Sequence, residues 1–180
     1  RRSIRNFTDK PISRDKMEQI LKAGRYTATA RNSQDCRFIL VQERLEEFRN
    51  LVWQEMPEVL RHLQTEDRSW HYLFSRFYEK YQQNPADDTL LFNCTSFLVI
   101  AADNLLDGGL AASNIENMAV AEGAGVLYSG YMMRMLQESS TLKKWLEIGD
   151  RHISCCMLLG YPRMTYRRTA PRRKADIIWK

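Results

Sequence analysis

The sequence has three histidines, His62, His71 and His152, and none lies at metal-ligand spacing from another, which excludes a histidine-based metal centre. Its four cysteines, Cys36, Cys94, Cys155 and Cys156, form no CxxC. That usage excludes a zinc ribbon, an iron–sulfur motif and a disulfide framework, and fits buried, reduced thiols in a cytoplasmic protein. The adjacent pair Cys155 and Cys156 reads as alternate burial in a strand rather than as redox chemistry. No apolar run approaches the roughly 20 residues of a membrane span, and no signal-peptide pattern is visible. Gly123 and Gly125 imitate part of a dinucleotide fingerprint, but no Gly-x-Gly-x-x-Gly follows a strand. A P-loop, a serine elbow, a cysteine–histidine arrangement, internal repeats and low-complexity tracts are also missing.

What is present is a chain of 180 residues, 44% hydrophobic and 27% charged, the composition of one globular domain spanning 1–180 with a sizeable core. The net charge of +5 is unevenly placed. Arg1, Arg2 and Arg5 crowd the start, and Arg163, Arg167, Arg168, Arg172, Arg173 and Lys174 crowd the end. Two readings compete for these clusters: a nucleic-acid surface, or cationic walls around a small phosphorylated ligand.

Apolar spacing at Met17, Ile20 and Leu21 predicts a helix from an N-cap at Ser13 to about Gly24. The loop that follows carries Asn32, Ser33 and Gln34, compact groups able to hydrogen-bond a planar polar ligand. A buried strand is expected at Phe38–Val41, then a helix over Leu45–Val52 that Pro57 breaks. Residues 58–93 read as a helical, aromatic-rich insertion whose rings pack on a neighbour, and 84–88 as a loop. Phe97–Ala102 is apolar enough for a central strand buried on both faces. A small-residue helix is expected over 107–123, buried and suited to a subunit interface, and further helices near Tyr131 and over 141–148. Ile153–Leu159 reads as another strand, and Ala175–Trp179 as a last one, set apart by a basic arm and able to pair with the sheet edge of a partner subunit.

Taken in order, RRSIRNF at 1–7, the Asn32-Ser33-Gln34 loop leading into the Phe38 strand, the small-residue helix ending Gly123-Ala124-Gly125, and Leu159-Gly160-Tyr161-Pro162 with its basic arm resemble the nitroreductase family of FMN-dependent oxidoreductases. The resemblance covers essentially the whole chain. It implies an α+β fold, a mixed, mostly antiparallel sheet wrapped by helices, in an intertwined homodimer with C-terminal strand exchange and FMN at the interface. By position, Arg1 and Ser3 match residues that hold the phosphate and ribityl chain, with Arg2 beside them, and Arg172 and Arg173 of the arm lie where family members bring basic residues to the same phosphate. Arg5 matches a basic position at the pyrimidine edge of the flavin. Thr29, Asn32 and Gln34 match the loop that reaches the partner's flavin, and Tyr128, Ser129 and Gly130 the segment whose backbone amide approaches N5. The chain departs from the family pattern at Ala28, Cys36 and Ala124, positions that bear on loop stiffness and the wall over the flavin.

The expected activity is ping-pong electron transfer from NADH or NADPH through FMN to a nitroaromatic, a quinone or a similar small molecule, with no metal, nucleic acid or membrane involved. No side chain is assigned a catalytic proton transfer. In the alternative, reduced ferredoxin or a fused cluster is the donor: the wording GRYTATARNSQD, the insertion and the abrupt start at Arg1 resemble a branch in which a ferredoxin-like domain lies upstream. Two other classes give different observables. A nucleic-acid-binding module would be colourless and salt-sensitive, and a flavin protein without turnover would be yellow and inert.

Overall fold

A computed structural model describes residues 2–180. Six helices and four strands follow one another as α1 (Arg14–Arg25), β1 (Arg37–Val41), α2 (Leu45–Glu66), α3 (Arg68–Gln83), β2 (Ser96–Ala102), α4 (Leu105–Ala121), β3 (Gly125–Tyr128), α5 (Gly130–Glu138), α6 (Ser140–Trp145) and β4 (His152–Gly160). The strands form one sheet in the order β1-β2-β4-β3, and every pairing among the described residues is antiparallel. The fold is therefore α+β, with helices wrapped around a central antiparallel sheet.

β2 is buried along its whole length because both faces of the sheet are covered. Leu98 and Ile100 point into a core with Met17, Ile20, Ala112 and Ile115 of α1 and α4. Phe97, Val99 and Ala101 point the other way, against Phe48, Val52, Met135 and Leu142 of α2, α5 and α6. Period-two alternation thus assigns one strand to two cores. Cys155 and Cys156 follow the same rule, entering opposite cores from β4. Burial pushes the Cys94 and Cys155 thiols up to about 12 and Cys156 well above its ordinary value, so these sulfurs are structural rather than nucleophilic.

One expectation is corrected. Pro57 does not break a helix; it lies inside α2. The ring sits on the exposed face, where water can take the carbonyl bond that proline leaves unmade, while Val52, Met56, Val59 and Leu63 stay buried. The break comes at Asp67, which ends α2 and caps α3 by accepting from the Ser69 and Trp70 amides at 3.1 and 3.3 Å. Residues 175–179 form no strand within the chain; Ile177, Ile178 and Trp179 are 61%, 77% and 89% exposed. β3, in turn, has no counterpart in the sequence pattern: four residues beginning at a glycine carry too little periodicity to announce a strand.

Candidate functional site

Residues 2–8 run beside β3 and the exit of β4. The Ile4 amide donates to the Val126 carbonyl at 3.1 Å and the Thr8 amide to Tyr161 at 2.8 Å, while the Arg163 amide donates to Asn6 at 2.9 Å. Phe7 bridges to Pro162. Ile4 and Phe7 are buried and anchor the segment. Two glycines make room for it: a Cβ at Gly125 would stand 2.6 Å from the Ile4 side chain, and one at Gly160 2.9 Å from the Phe7 ring. The anchors leave Arg2, Ser3, Arg5 and Asn6 to face outward or sideways.

Arg2 lines a cavity of about 380 Å³ between the C-terminal half of α4 and the start of the basic arm, together with Glu116, Gly125, Tyr166, Arg167 and Arg168. Its guanidinium lies 4.8 Å from the centre of the Tyr166 ring, and its Nε is buried with no hydrogen-bond partner among the described residues. A buried donor left unpaired beside two further arginines fits an anionic group able to accept from it.

Arg5 lines a second cleft of about 360 Å³ with Asn6, Asp9, Asp87, Asp88, Asn93 and Arg163. Arg163 is engaged by the Asp9 carboxylate at 3.3 Å and by the Phe7 carbonyl at 3.0 Å. Arg5 and Asp87 carry no side-chain partner among the described residues, so the cleft offers a free cation and a free carboxylate. Donors and acceptors side by side suit a planar ligand edge that bears both.

Tyr128, Ser129 and Gly130 join β3 to α5. Ser129 is fully engaged: its amide donates to the Cys156 carbonyl at 2.8 Å and its Oγ accepts from the Met132 amide at 3.2 Å as the cap of α5. Gly130, the first residue of the helix, is exposed, with open space around it. Trp70 and Phe77 of α3 hold the neighbouring Tyr131 ring edge-on, at 6.2 and 5.0 Å.

The loop with Thr29, Asn32 and Gln34 is ordered elsewhere and lines neither cleft. Asp107 accepts from the Ala30 amide and Thr29 Oγ1 from the Gln34 amide, both at 3.0 Å. Asp35 accepts from the Asp103 amide at 2.8 Å, which holds its carboxyl below the usual carboxylate range. Arg31, Asn32 and Gln34 all adopt positive φ, of 55°, 55° and 52°, and Asn32 and Gln34 are exposed. Left-handed backbone at three non-glycine residues is a costly shape that persists at binding loops.

Of the residues marked in the sequence, Arg2, Ser3 and Arg5 share one segment, Arg1 lies outside the described residues, and Arg172 and Arg173 stand in the exposed arm away from both clefts. Arg167 and Arg168 occupy the place beside Arg2. Asp87 and Asn93 escaped sequence reasoning; the only sign was an acidic pair, Asp87-Asp88, in a basic chain.

The sequence model of the Nitroreductase family matches residues 1–161. No curated protein matches. Among solved structures, the fold is similar to a nitroreductase with bound FMN from Desulfitobacterium hafniense DCB-2, at 20% identity and a TM-score of 0.72, covering 98% of this chain and 94% of that one. A nitroreductase with bound FMN from Bacteroides fragilis NCTC 9343 follows, at 16% identity and a TM-score of 0.71 over 99% and 94%. A BluB-like flavoprotein from Clostridium difficile 630 is similar at 14% identity and a TM-score of 0.69 over 96% and 91%.

Proposed function

The chain belongs to the Nitroreductase family, and from that premise we propose that it is an FMN-dependent oxidoreductase that moves electrons from NADH or NADPH to a small oxidant such as a nitroaromatic or a quinone. The observation that carries the reading is Arg2, whose buried and unpaired Nε lies beside Arg167 and Arg168. That cluster fits a phosphate, and the free Arg5, three residues further along the same segment in a cleft of its own, would meet the electron-rich pyrimidine edge. FMN, when bound, supplies the redox chemistry, taking electrons from a donor and passing them to an acceptor in turn.

The protein's part is binding, orientation and charge. Arg2, Ser3, Arg167 and Arg168 would hold the phosphate end. Arg5 would stabilise the negative charge that reduction places on the pyrimidine edge. In the β3–α5 turn the Ser129 amide is already donated to the Cys156 carbonyl, and we assign the contact with N5 to the exposed Gly130. It also opens α5, where the helix dipole is positive.

Assembly follows from surfaces the single chain leaves open. α4 exposes Leu106, Leu110 and Val120, and β1 is an edge strand flanked by a groove of about 740 Å³ walled by Met17, Leu21 and Trp145. A homodimer in which each arm lays residues 175–179 along the partner's β1 covers both. In that dimer the Thr29, Asn32 and Gln34 loop would serve the partner's flavin.

The deciding experiment is an absorbance spectrum of purified protein, followed by anaerobic titration with NADH and NADPH. Flavin maxima, release of FMN on heating and bleaching by either nucleotide are expected. A colourless protein that takes up no added FMN would overturn the proposal, and bleaching by reduced ferredoxin alone would replace the donor. Two substitutions test the site. Arg2→Ala should weaken FMN binding by about 1–3 kcal/mol, measured by quenching of FMN fluorescence. Arg5→Ala should lower the flavin's reduction potential in a dye-coupled titration while much of the binding survives; an unchanged potential removes that role.

A further inference from the structure

The wall facing Arg5 across its cleft is built by residues 86–93, and it is held from behind. The Asp88 side chain is fully buried. Its Oδ1 accepts from the Leu90 and Leu91 amides at 3.2 and 3.0 Å, and its Oδ2 from Arg49 Nε at 2.8 Å. Arg49 belongs to α2 and is itself only 17% exposed. Just beyond this clamp the chain takes an uncommon shape: Phe92 and Asn93 both have φ of 50°. Left-handed backbone at a side chain as bulky as phenylalanine persists only where the surroundings over-determine it. Here the surroundings are the Asp88 clamp, the Phe92 amide on the Asp88 carbonyl at 2.8 Å, the completely buried Leu90 and Leu91, and Asn93 Nδ2 on the Ala86 carbonyl at 3.2 Å.

A buried ion pair is a poor source of stability, since apolar residues of similar size often do as well. Its position accounts for it better. We propose that the Arg49–Asp88 pair is a positioning device that holds the 87–93 wall against Arg5 and thereby sets the grip and the charge of the cleft on the flavin's pyrimidine edge. The proposal rests on the flavin reading above.

The charges on the cleft are Arg5, Arg163, Asp9, Asp87 and Asp88. Arg163 pairs with Asp9 and Arg49 with Asp88, which leaves Arg5 opposed only by Asp87. Removing Arg49 would add an uncompensated carboxylate to that side, and it would free the loop. Both changes act on the cleft from α2, through a residue that touches no ligand.

The test compares Arg49→Met, Asp88→Asn and the double variant in the full chain, using added FMN as the probe. Arg49→Met is expected to raise the FMN dissociation constant about tenfold and to lower the flavin's reduction potential. The double variant should recover most of both, because the carboxamide that replaces the Asp88 carboxylate still accepts from the Leu90 and Leu91 amides and no buried charge is left alone. Folded variants that all keep the wild-type affinity and potential would overturn the proposal. Amide exchange on the FMN-free protein separates this from the parent reading: exchange at residues 90–93 about tenfold faster in Arg49→Met supports the positioning role even if wild-type protein took up no FMN, and unchanged exchange overturns it.

Discussion

Deletion of residues 175–180 is expected to convert the protein to a monomer that no longer retains FMN. Ile177, Ile178 and Trp179 are three large apolar side chains in succession with nothing of their own chain to cover them. Fully burying a side chain of this size contributes about 1.5–3 kcal/mol, and a twofold dimer buries two such arms, so losing them should weaken association by several orders of magnitude. β1 would supply the receiving edge: it lies at the edge of the sheet among the described residues, and its flank is open. FMN would be lost with the dimer because the Thr29, Asn32 and Gln34 loop lines neither cleft of its own chain. Sedimentation of wild-type and truncated protein reads the first effect, and retention of FMN through gel filtration reads the second. Trp179 adds a signal of its own: its emission should shift to the red when the wild-type protein is diluted to monomer. A truncated chain that sediments as the wild type would show that the arm pairs with nothing.

Replacing Gly125 by valine should be nearly as damaging, for a reason visible only in three dimensions. The new Cβ would stand 2.6 Å from Ile4 Cγ1 and 3.0 Å from Ile4 Cβ, and neither is the far end of a flexible chain. Ile4 must then leave its pocket, taking with it the amide bonded to the Val126 carbonyl and the backbone that carries Arg2, Ser3 and Arg5. The core loses about 1–3 kcal/mol, as overpacked sites do. FMN affinity should fall by more than it does in Arg2→Ala, although every arginine is still present. Thermal unfolding and FMN titration measure the two effects together. Wild-type affinity in Gly125→Val would mean that the placement of residues 2–5 does not matter to the ligand.

How much could be read beforehand depended on the range of the interaction. β2 was legible because seven consecutive residues buried on both faces leave a continuous apolar run. α1, α3 and α5 were legible because a helix with one buried face writes its period into the sequence. Pro57 misled because a propensity is local, while α2 is held by core contacts along the face that proline does not occupy. β3 was hidden because its four residues owe their burial to Ile4 and to β4, far away in the chain.

The functional residues divide in the same way. Composition already marked Arg2 and Arg5, since a basic cluster is a property of the sequence, and the family resemblance added Ser3 and gave the cluster a ligand. Which cation stands next to Arg2 was not a property of the sequence. The arm passes it at Arg167 and Arg168 and is gone by Arg172 and Arg173, a matter of where Pro162 turns the chain. Asp87, Asn93 and the Arg49–Asp88 pair were likewise invisible, because the pair joins residues 39 positions apart and the loop it clamps has no period to read. Local spacing and charge determined most of the elements and the two basic clusters, and the order of the motifs carried the resemblance that implied the fold class and an anionic ligand. Tertiary packing alone decided which of those charges face each other, because a cleft is made where segments distant in sequence meet, and the cost of desolvating each charge is set only there.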